Sequence, residues 1–172
     1  MSPHDQHIQP ERYHIIPRTL IFVFHKNEVL LLKYSTSKGN WSGRLNGLGG
    51  HVERGEDPLT AAHRELREEA GMDLPDLRLC GTLIIDIPQP SPGIGLYIYA
   101  GTASHRNIPP ASPEGDLVWI SLNNLNDVPL MEDIPVLLNA AQDALKARSV
   151  FSALSRTTDD GEIEIVFSPR TS

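Results

Sequence analysis

The sequence has a single cysteine, no long hydrophobic run and no excess of positive charge. Cys80 alone cannot form an internal disulfide or a cysteine metal site, and it favours a reducing compartment. Apolar runs such as Val29 to Leu32 and Val136 to Leu138 are far shorter than the roughly 20 residues that span a bilayer. The first sixteen residues lack the apolar core of a secretion signal. We therefore expect a cytoplasmic protein without a membrane partner.

The charge balance limits the binding partners to be expected, and the length limits the number of domains. Lys and Arg number 15 against 22 Asp and Glu, which gives a formal net charge of −7. This balance argues against binding to a nucleic acid polymer, because such binding needs a basic surface. The 172 residues suffice for one domain and a short appended element. We predict a flexible N-terminal tail at 1–16, which is polar and contains prolines, and a single domain at 17–172.

The order of strand and helix signals predicts an α+β fold with a mixed sheet between helices. A first helix is predicted at Pro58–Ala70, because Asp57 can cap its start and Gly71 can end it. Strands are predicted at 19–24, 29–33, 77–87, 95–102, 117–121, 150–155 and 163–167, the last two joined as a hairpin, and a second helix from Asp133 and Pro135 to about Arg148. Because strands and helices do not alternate regularly, a doubly wound fold is disfavoured. The apolar stripe of the first helix would be Leu59, Ala62, Leu66 and Ala70.

A glycine-dense segment leads into a group of acidic residues. Between residues 35 and 50 the composition changes to Ser, Gly, Asn and Lys, which indicates a functional loop. At about 100° per residue, Glu65, Glu68 and Glu69 share one face of the first helix, and Glu53 and Glu56 come just before it. Carboxylates without a His or Cys pattern suit Mg²⁺ or Mn²⁺, which keep coordination positions for phosphate oxygens. The alternative is an ordinary solvated face. The adjoining loop favours the metal site and a diphosphate substrate.

The same segment resembles the Nudix box of the Nudix hydrolases. Gly50, then Glu56, then the run from Arg64 to Met72 match it at every defined position across residues 50–72. The resemblance implies a Nudix fold and hydrolysis of a nucleoside diphosphate linked to another group. By position it implies that Glu68 and Glu69 are the principal metal ligands.

The resemblance also implies roles for the other box residues. The Gly50 carbonyl and Glu65 become further ligands or water-activating groups, and Arg64 orients the carboxylates through an ion pair. Glu56 braces the loop, and Gly71 is the structural stop. The base that activates water stays open between Glu65 and Glu114, since the family takes it either from the box or from a later loop.

Outside the box, residues 41–50 and the pair Glu132 and Asp133 resemble the MutT-type oxidised-purine nucleoside triphosphatases of this family. This resemblance implies that Asn46, Glu132 and Asp133 contact the purine edge. It implies a base pocket lined by Thr19, Ile85 and Ile87. The aromatic residues that clamp the base in that subgroup fall here at Leu130, Asn40, Ile85 and Ile87, so their stacking is lost.

Charge and loop position suggest Lys33, Lys38 and Arg44 as phosphate contacts. Simpler explanations also exist: Asn46 as a turn residue and Asp133 as a helix cap.

We therefore expect a Mg²⁺- or Mn²⁺-dependent pyrophosphohydrolase, a monomer or homodimer, that converts a modified purine nucleoside triphosphate such as 8-oxo-dGTP to the monophosphate and pyrophosphate. One alternative is a hydrolase of ADP-ribose, dinucleotide polyphosphates or nucleotide sugars, because Pro88 resembles a proline of the ADP-ribose group. Another is a nucleotide-sensing Nudix module without turnover. The intact set of Arg64, Glu65, Glu68 and Glu69 argues against that module.

Overall fold

The computed structural model describes residues 12–88, 90–108 and 115–169, without the side chains of residues 36–38. These residues form eight strands: β1 (Ile15–His25), β2 (Glu28–Tyr34), β3 (Leu45–Asn46), β4 (Arg78–Ile85), β5 (Gly93–Thr102), β6 (Gly115–Ser121), β7 (Phe151–Thr157) and β8 (Ile163–Phe167). The α-helices are α1 (Pro58–Ala70) and α2 (Ile134–Ala147), and short 3-10 helices span Thr36–Trp41 and Leu122–Asp127.

All eight strands belong to one mixed sheet. Their order is β3-β2-β1-β5-β4-β7-β8, and β6 pairs with β2. The pairs β1–β5 and β4–β7 are parallel, whereas the other pairs are antiparallel. The predicted α+β class and mixed sheet are confirmed.

Two apolar layers hold the helices on opposite faces of the sheet. Along β1 the side chains alternate: Leu20, Phe22 and Phe24 pack in the layer that contains α2, while Ile21 and Val23 pack in the layer that contains α1. A strand that is buried on both faces is apolar at every position, which explains the continuous run in the sequence.

Helix α1 has the bounds that its local signals predict. The Asp57 carboxylate accepts hydrogen bonds from the N–H groups of Leu59 and Thr60, at 2.9 and 3.1 Å. Gly71 ends the helix with left-handed φ and ψ of 60° and 22°. The predicted stripe is wrong at Leu59, which is 41% exposed, whereas Ala61 is fully buried. Leu59 lies on the same helix face as Leu66, two turns away, but it belongs to the first turn of the helix. Helical periodicity identifies the face of a residue and does not show whether other parts of the fold pack over that turn.

The start of the domain also differs from the prediction. Strand β1 begins at Ile15, and Ile15 and Ile16 pair with Gly93 and Ile94 of β5, so the boundary between tail and domain after residue 16 is wrong. The partner strand lies almost eighty residues away, which is why the local sequence did not reveal the pairing. Residues 1–11 of the predicted tail lie outside the described residues. Within the part of the chain that the structure describes, no helix is long and apolar enough to cross a membrane.

Candidate active site

The glycine loop runs from β3 to α1 and is fastened to β1 by backbone hydrogen bonds. The N–H groups of Thr19 and Ile21 donate to the carbonyl oxygens of Gly50 and Leu48, each at 2.8 Å. The Thr19 hydroxyl accepts from the Gly50 N–H at 3.2 Å. Thr19 is itself buried, so its hydroxyl fixes the loop beside the sheet.

Close packing explains two of the loop glycines. Gly49 has a φ of +119°, and a Cβ atom there would lie 2.5 Å from the Thr19 carbonyl oxygen. A Cβ atom on Gly50 would overlap the Glu65 carboxylate. The loop therefore approaches both β1 and α1 more closely than a side chain allows. This packing brings the Gly50 backbone next to the acidic face of α1.

Arg64 joins the acidic residues of the loop and the helix. Its guanidinium donates to Glu56 at 2.7 Å, to Glu65 at 2.9 Å, to Glu68 at 3.1 Å and to the His51 carbonyl at 2.9 Å. The hydrogen bonds to Glu56, and then those to Glu65, raise the pKa of Arg64. The same guanidinium holds the pKa of Glu56 below its usual range. One cation thus fixes the positions of three carboxylates.

Glu56 also connects two parts of the loop. Its carboxylate accepts from the Glu53 N–H at 2.8 Å in addition to its bonds with Arg64. The loop is therefore tied to α1 through a single side chain. The bracing role of Glu56 itself stays a prediction from the resemblance.

The acidic residues of α1 differ in their surroundings. The Glu68 side chain is 59% exposed, whereas that of Glu65 is 14% exposed. Glu69 is buried, and its carboxylate accepts from the Gly49 N–H at 2.7 Å. The helix thus presents one exposed and two enclosed carboxylates to the loop.

Hard oxygen donors dominate this cluster. Among the described residues no group of three or more His, Cys, Asp or Glu side chains is already arranged to coordinate a metal ion. Arg64 nevertheless contributes one positive charge against the carboxylates of Glu56, Glu65, Glu68 and Glu69. The donor set therefore fits a divalent cation that prefers oxygen. The groups that could hold it are Glu65, Glu68, Glu69 and the Gly50 carbonyl, whose oxygen also accepts from the N–H and the hydroxyl of Thr19, at 2.8 and 3.5 Å.

A cavity of about 190 Å³ adjoins the same glycine loop. Its polar lining residues are Arg18, Thr19, Tyr34, Asn46 and Asp133. Its other lining residues are Leu20, Trp41, Gly47, Leu48, Gly49, Ile85, Ile94, Leu96 and Met131. The acidic face and the cavity therefore meet at Gly49, which lines the cavity and donates its N–H to Glu69.

The structure brings some of the predicted substrate residues to this cavity and leaves others outside it. Thr19, Asn46, Asp133 and Ile85 line it. Glu132 does not: its exposed carboxylate pairs with Arg44 at 3.0 Å. Glu132 and Asp133 are adjacent just before α2, but their side chains point in different directions. Only Asp133 of the predicted pair lines the cavity.

Four further predicted residues lie away from the cavity or fall, wholly or by their side chains, outside the described part. Lys33 is exposed on β2, and neither it nor Ile87 is among the described residues that line the cavity. Lys38 belongs to the first 3-10 helix, but its side chain lies outside the described part. Glu114 also lies outside the described residues.

The Asn46 amide is held by two hydrogen bonds. Its nitrogen donates to the Tyr34 hydroxyl at 2.8 Å, and its oxygen accepts from the Gly47 N–H at 2.8 Å. The second bond goes to the next residue and not two residues on as in an Asx turn, and Asn46 pairs with Leu32 of β2, so the simpler explanation as a turn residue is wrong. Each amide atom retains one further hydrogen-bonding position, which a ligand in the cavity can use.

Asp133 precedes α2 but does not cap it. Its backbone is helical, and its side chain makes no capping hydrogen bond, in contrast to Asp57 at the start of α1. Burial, and then the charge of Glu132, raise the pKa of the Asp133 carboxyl group. A desolvated carboxyl group that lines a cavity is a candidate ligand-binding group.

Sequence reasoning missed Arg18, Tyr34 and Trp41 as lining residues. A signal existed for Arg18, because strand alternation places it on the same face as Leu20 and Phe22. For Tyr34 and Trp41 no comparable local signal existed, because they meet the cavity only after the segment between β2 and β3 has folded back.

Comparison with known proteins identifies the family of the chain. A model of the NUDIX domain matches residues 14–139. The chain belongs to the Nudix family. It is a Nudix pyrophosphohydrolase. Members of this family generally use a divalent metal ion and act on small nucleotide substrates.

Similar proteins share most of the Nudix domain. The oxidized purine nucleoside triphosphate hydrolase of Mus musculus is 30% identical over 124 residues, which are 70% of this chain and 78% of the mouse protein. The MutT protein from Bacillus halodurans matches with a TM-score of 0.71 and 22% identity, over 91% of this chain and 100% of that chain. The Nudix domain of Shewanella oneidensis NrtR, solved with ADP ribose, matches with a TM-score of 0.66 and 19% identity, over 84% and 99%. The two solved structures share the fold.

Proposed function

We propose that this Nudix hydrolase cleaves a modified purine nucleoside triphosphate, such as 8-oxo-dGTP, to the monophosphate and pyrophosphate with Mg²⁺. The observation that carries the proposal is the continuity of two sites through one loop. Gly49 and Gly50 contact the acidic face of α1, and Gly47 to Gly49 line the cavity with Asn46 and Asp133. A nucleotide with its base in the cavity would extend its phosphates along the loop toward the carboxylates. The name of the mouse relative supports this substrate class.

The acidic face supplies the catalytic part of the proposal. Glu65, Glu68, Glu69 and the Gly50 carbonyl would hold Mg²⁺ or Mn²⁺, which when bound polarises phosphate oxygens and offsets their charge. Arg64 holds Glu65 and Glu68 in place through its hydrogen bonds. The general base stays a prediction with two candidates, Glu65 in the enclosed space beside Gly50 and Glu114, which directly precedes β6 in the sequence.

The cavity supplies base recognition. The free positions of the Asn46 amide can donate and accept, which matches the mixed edge of a purine. The Asp133 carboxyl group accepts hydrogen bonds when ionised and donates one when protonated. Its raised pKa brings the protonated form closer to neutral pH than is usual for aspartate. Both groups contact the edge of the base, so they discriminate between bases.

Asp133→Ala is expected to lower kcat/KM for 8-oxo-dGTP about 5- to 150-fold, with a much smaller loss for dCTP. An unpaired polar edge in a buried site costs about 1 to 3 kcal/mol, which corresponds to that range. Initial rates with 8-oxo-dGTP, dGTP, dCTP, ADP-ribose and diadenosine tetraphosphate measure the effect.

Asp57→Ala is the matched control, because Asp57 also precedes a helix but caps it. Its loss should lower the free energy of unfolding and leave the ranking of substrates unchanged. Equal losses for purine and pyrimidine substrates in Asp133→Ala, or a wild-type preference for ADP-ribose or diadenosine tetraphosphate, would contradict the proposed base recognition.

A further inference from the structure

The cavity has an aromatic wall, Tyr34 and Trp41, at two residues for which no base contact was expected. We propose that Trp41, supported by Tyr34, forms the surface on which the substrate base stacks. This inference rests on the proposed function, because it assigns a specificity-determining residue to the same cavity. It replaces the expectation that stacking is lost.

The exposure of Trp41 is the first observation. The residue lies at the end of the 3-10 helix Thr36–Trp41 and lines the cavity, yet it is 47% exposed. Large aromatic side chains are usually buried far more completely. Indole surface therefore remains free to contact a ligand at the cavity.

The position of the indole is fixed by Tyr34. The two rings are stacked, with centroids 5.8 Å apart and planes inclined by 28°. The Tyr34 hydroxyl in turn accepts from the Asn46 amide at 2.8 Å. One continuous set of contacts thus joins the stacking surface to a residue proposed to contact the base edge.

The backbone keeps Trp41 next to Tyr34. The Tyr34 N–H donates to the Arg44 carbonyl, and the Gly43 N–H donates to the Tyr34 carbonyl, both at 3.0 Å. The Arg44 N–H donates to the Trp41 carbonyl at 3.0 Å. These bonds close the segment between β2 and β3 on itself, so the indole is held at the cavity before a ligand arrives.

Among the described residues that line the cavity, Tyr34 and Trp41 are the aromatic ones. The other side chains with apolar surface are aliphatic: Leu20, Leu48, Ile85, Ile94, Leu96 and Met131. A cavity of about 150 Å³ admits a benzene ring. The cavity here, at about 190 Å³ and open to solvent, admits a flat heterocycle that extends toward the mouth.

Stacking and edge contacts make different contributions to specificity. Every base has a π face, so stacking on Trp41 favours nucleotides over phosphates without a base. A purine has a larger ring area than a pyrimidine, so stacking on Trp41 increases the affinity for purine nucleotides more. Discrimination between purines stays with Asn46 and Asp133.

The two tryptophans of the chain, Trp41 and Trp119, allow a direct test by fluorescence. Trp119 lies on β6, and its indole N–H donates to the Arg106 carbonyl at 3.1 Å, so it is not part of the cavity. In Trp119→Phe only Trp41 remains. We expect saturable quenching by dGMP, weaker quenching by dCMP and none by deoxyribose 5-phosphate. Trp41→Leu, which retains Trp119, should show no quenching.

Kinetics provide the second readout. Trp41→Leu should raise KM for purine triphosphates about 5- to 150-fold, the range of one base–aromatic stack, with kcat changed by a smaller factor. Trp41→Phe should restore most of the loss, and Trp119→Phe should keep the wild-type KM.

The outcomes separate the two proposals. Hydrolysis of purine triphosphates with no dGMP quenching of Trp41 and an unchanged KM in Trp41→Leu would overturn the stacking role alone. Quenching by dGMP without hydrolysis of any nucleotide would support the stacking role and contradict the proposed function.

Discussion

Glu68→Gln is expected to lower kcat by at least about 100-fold at saturating Mg²⁺ while the protein stays folded. The change removes a negatively charged oxygen ligand, and a bound metal ion contributes several kcal/mol to transition-state stabilisation. Stability should hold, because the Glu68 side chain is 59% exposed and its ion pair is with Arg64 on the surface of the helix. Rates during a Mg²⁺ titration and urea unfolding measure the two effects.

Glu69→Gln should reduce the rate similarly but also reduce stability. The Glu69 carboxylate is buried and accepts from the Gly49 N–H at 2.7 Å, so a neutral amide weakens a charge-assisted bond by about 1 kcal/mol. Glu164→Gln on β8 is the matched control with the same charge change away from the site. Rates near wild type in both Glu68→Gln and Glu69→Gln would remove these residues from the metal site.

Arg64→Ala is expected to lower kcat about 10- to 100-fold, the usual cost of losing a group that positions metal ligands. The variant leaves the enclosed carboxylates of Glu56 and Glu65 without their counter-charge. Arg64→Lys should recover part of the activity, because it restores the charge without the planar fork that contacts several partners. Steady-state rates of the two variants against wild type provide the measurement.

The ion pair of Glu56 with Arg64 makes the stability of the protein depend on pH. Arg64 holds the pKa of Glu56 below its usual range, so the stability from this pairing is present at neutral pH and is lost as the pH falls through the lowered value. Arg64→Ala should therefore be less stable than wild type at neutral pH, and the difference should shrink in acid. Full activity in Arg64→Ala, or a stability difference that does not change with pH, would contradict the positioning role.

The sequence was informative where local chemistry determines the structure. Asp57, Pro58 and Gly71 set the ends of α1 because capping, a fixed φ and a left-handed residue act within one turn. The helical period alone places Glu65, Glu68 and Glu69 near one another. The acidic face could thus be predicted without knowledge of the rest of the fold.

The cavity could not be predicted in this way, because distant segments build it. Asp133 lines it while its neighbour Glu132 pairs with Arg44, a difference that depends on how the segment before α2 meets β3. Trp41 reaches the cavity only through the fold of the segment that joins β2 to β3. Resemblance indicated a base pocket, but it did not indicate which side chains fill positions where the family pattern changes.

The central claim is that the acidic face of α1 and the adjoining cavity act together on one purine nucleoside triphosphate. Phosphorus NMR of 8-oxo-dGTP incubated with the enzyme tests it most directly. The account predicts equal amounts of 8-oxo-dGMP and pyrophosphate with Mg²⁺ and no reaction after chelation with EDTA. Release of inorganic phosphate instead of pyrophosphate, undiminished turnover in EDTA, or cleavage of ADP-ribose with no cleavage of any nucleoside triphosphate would contradict the account.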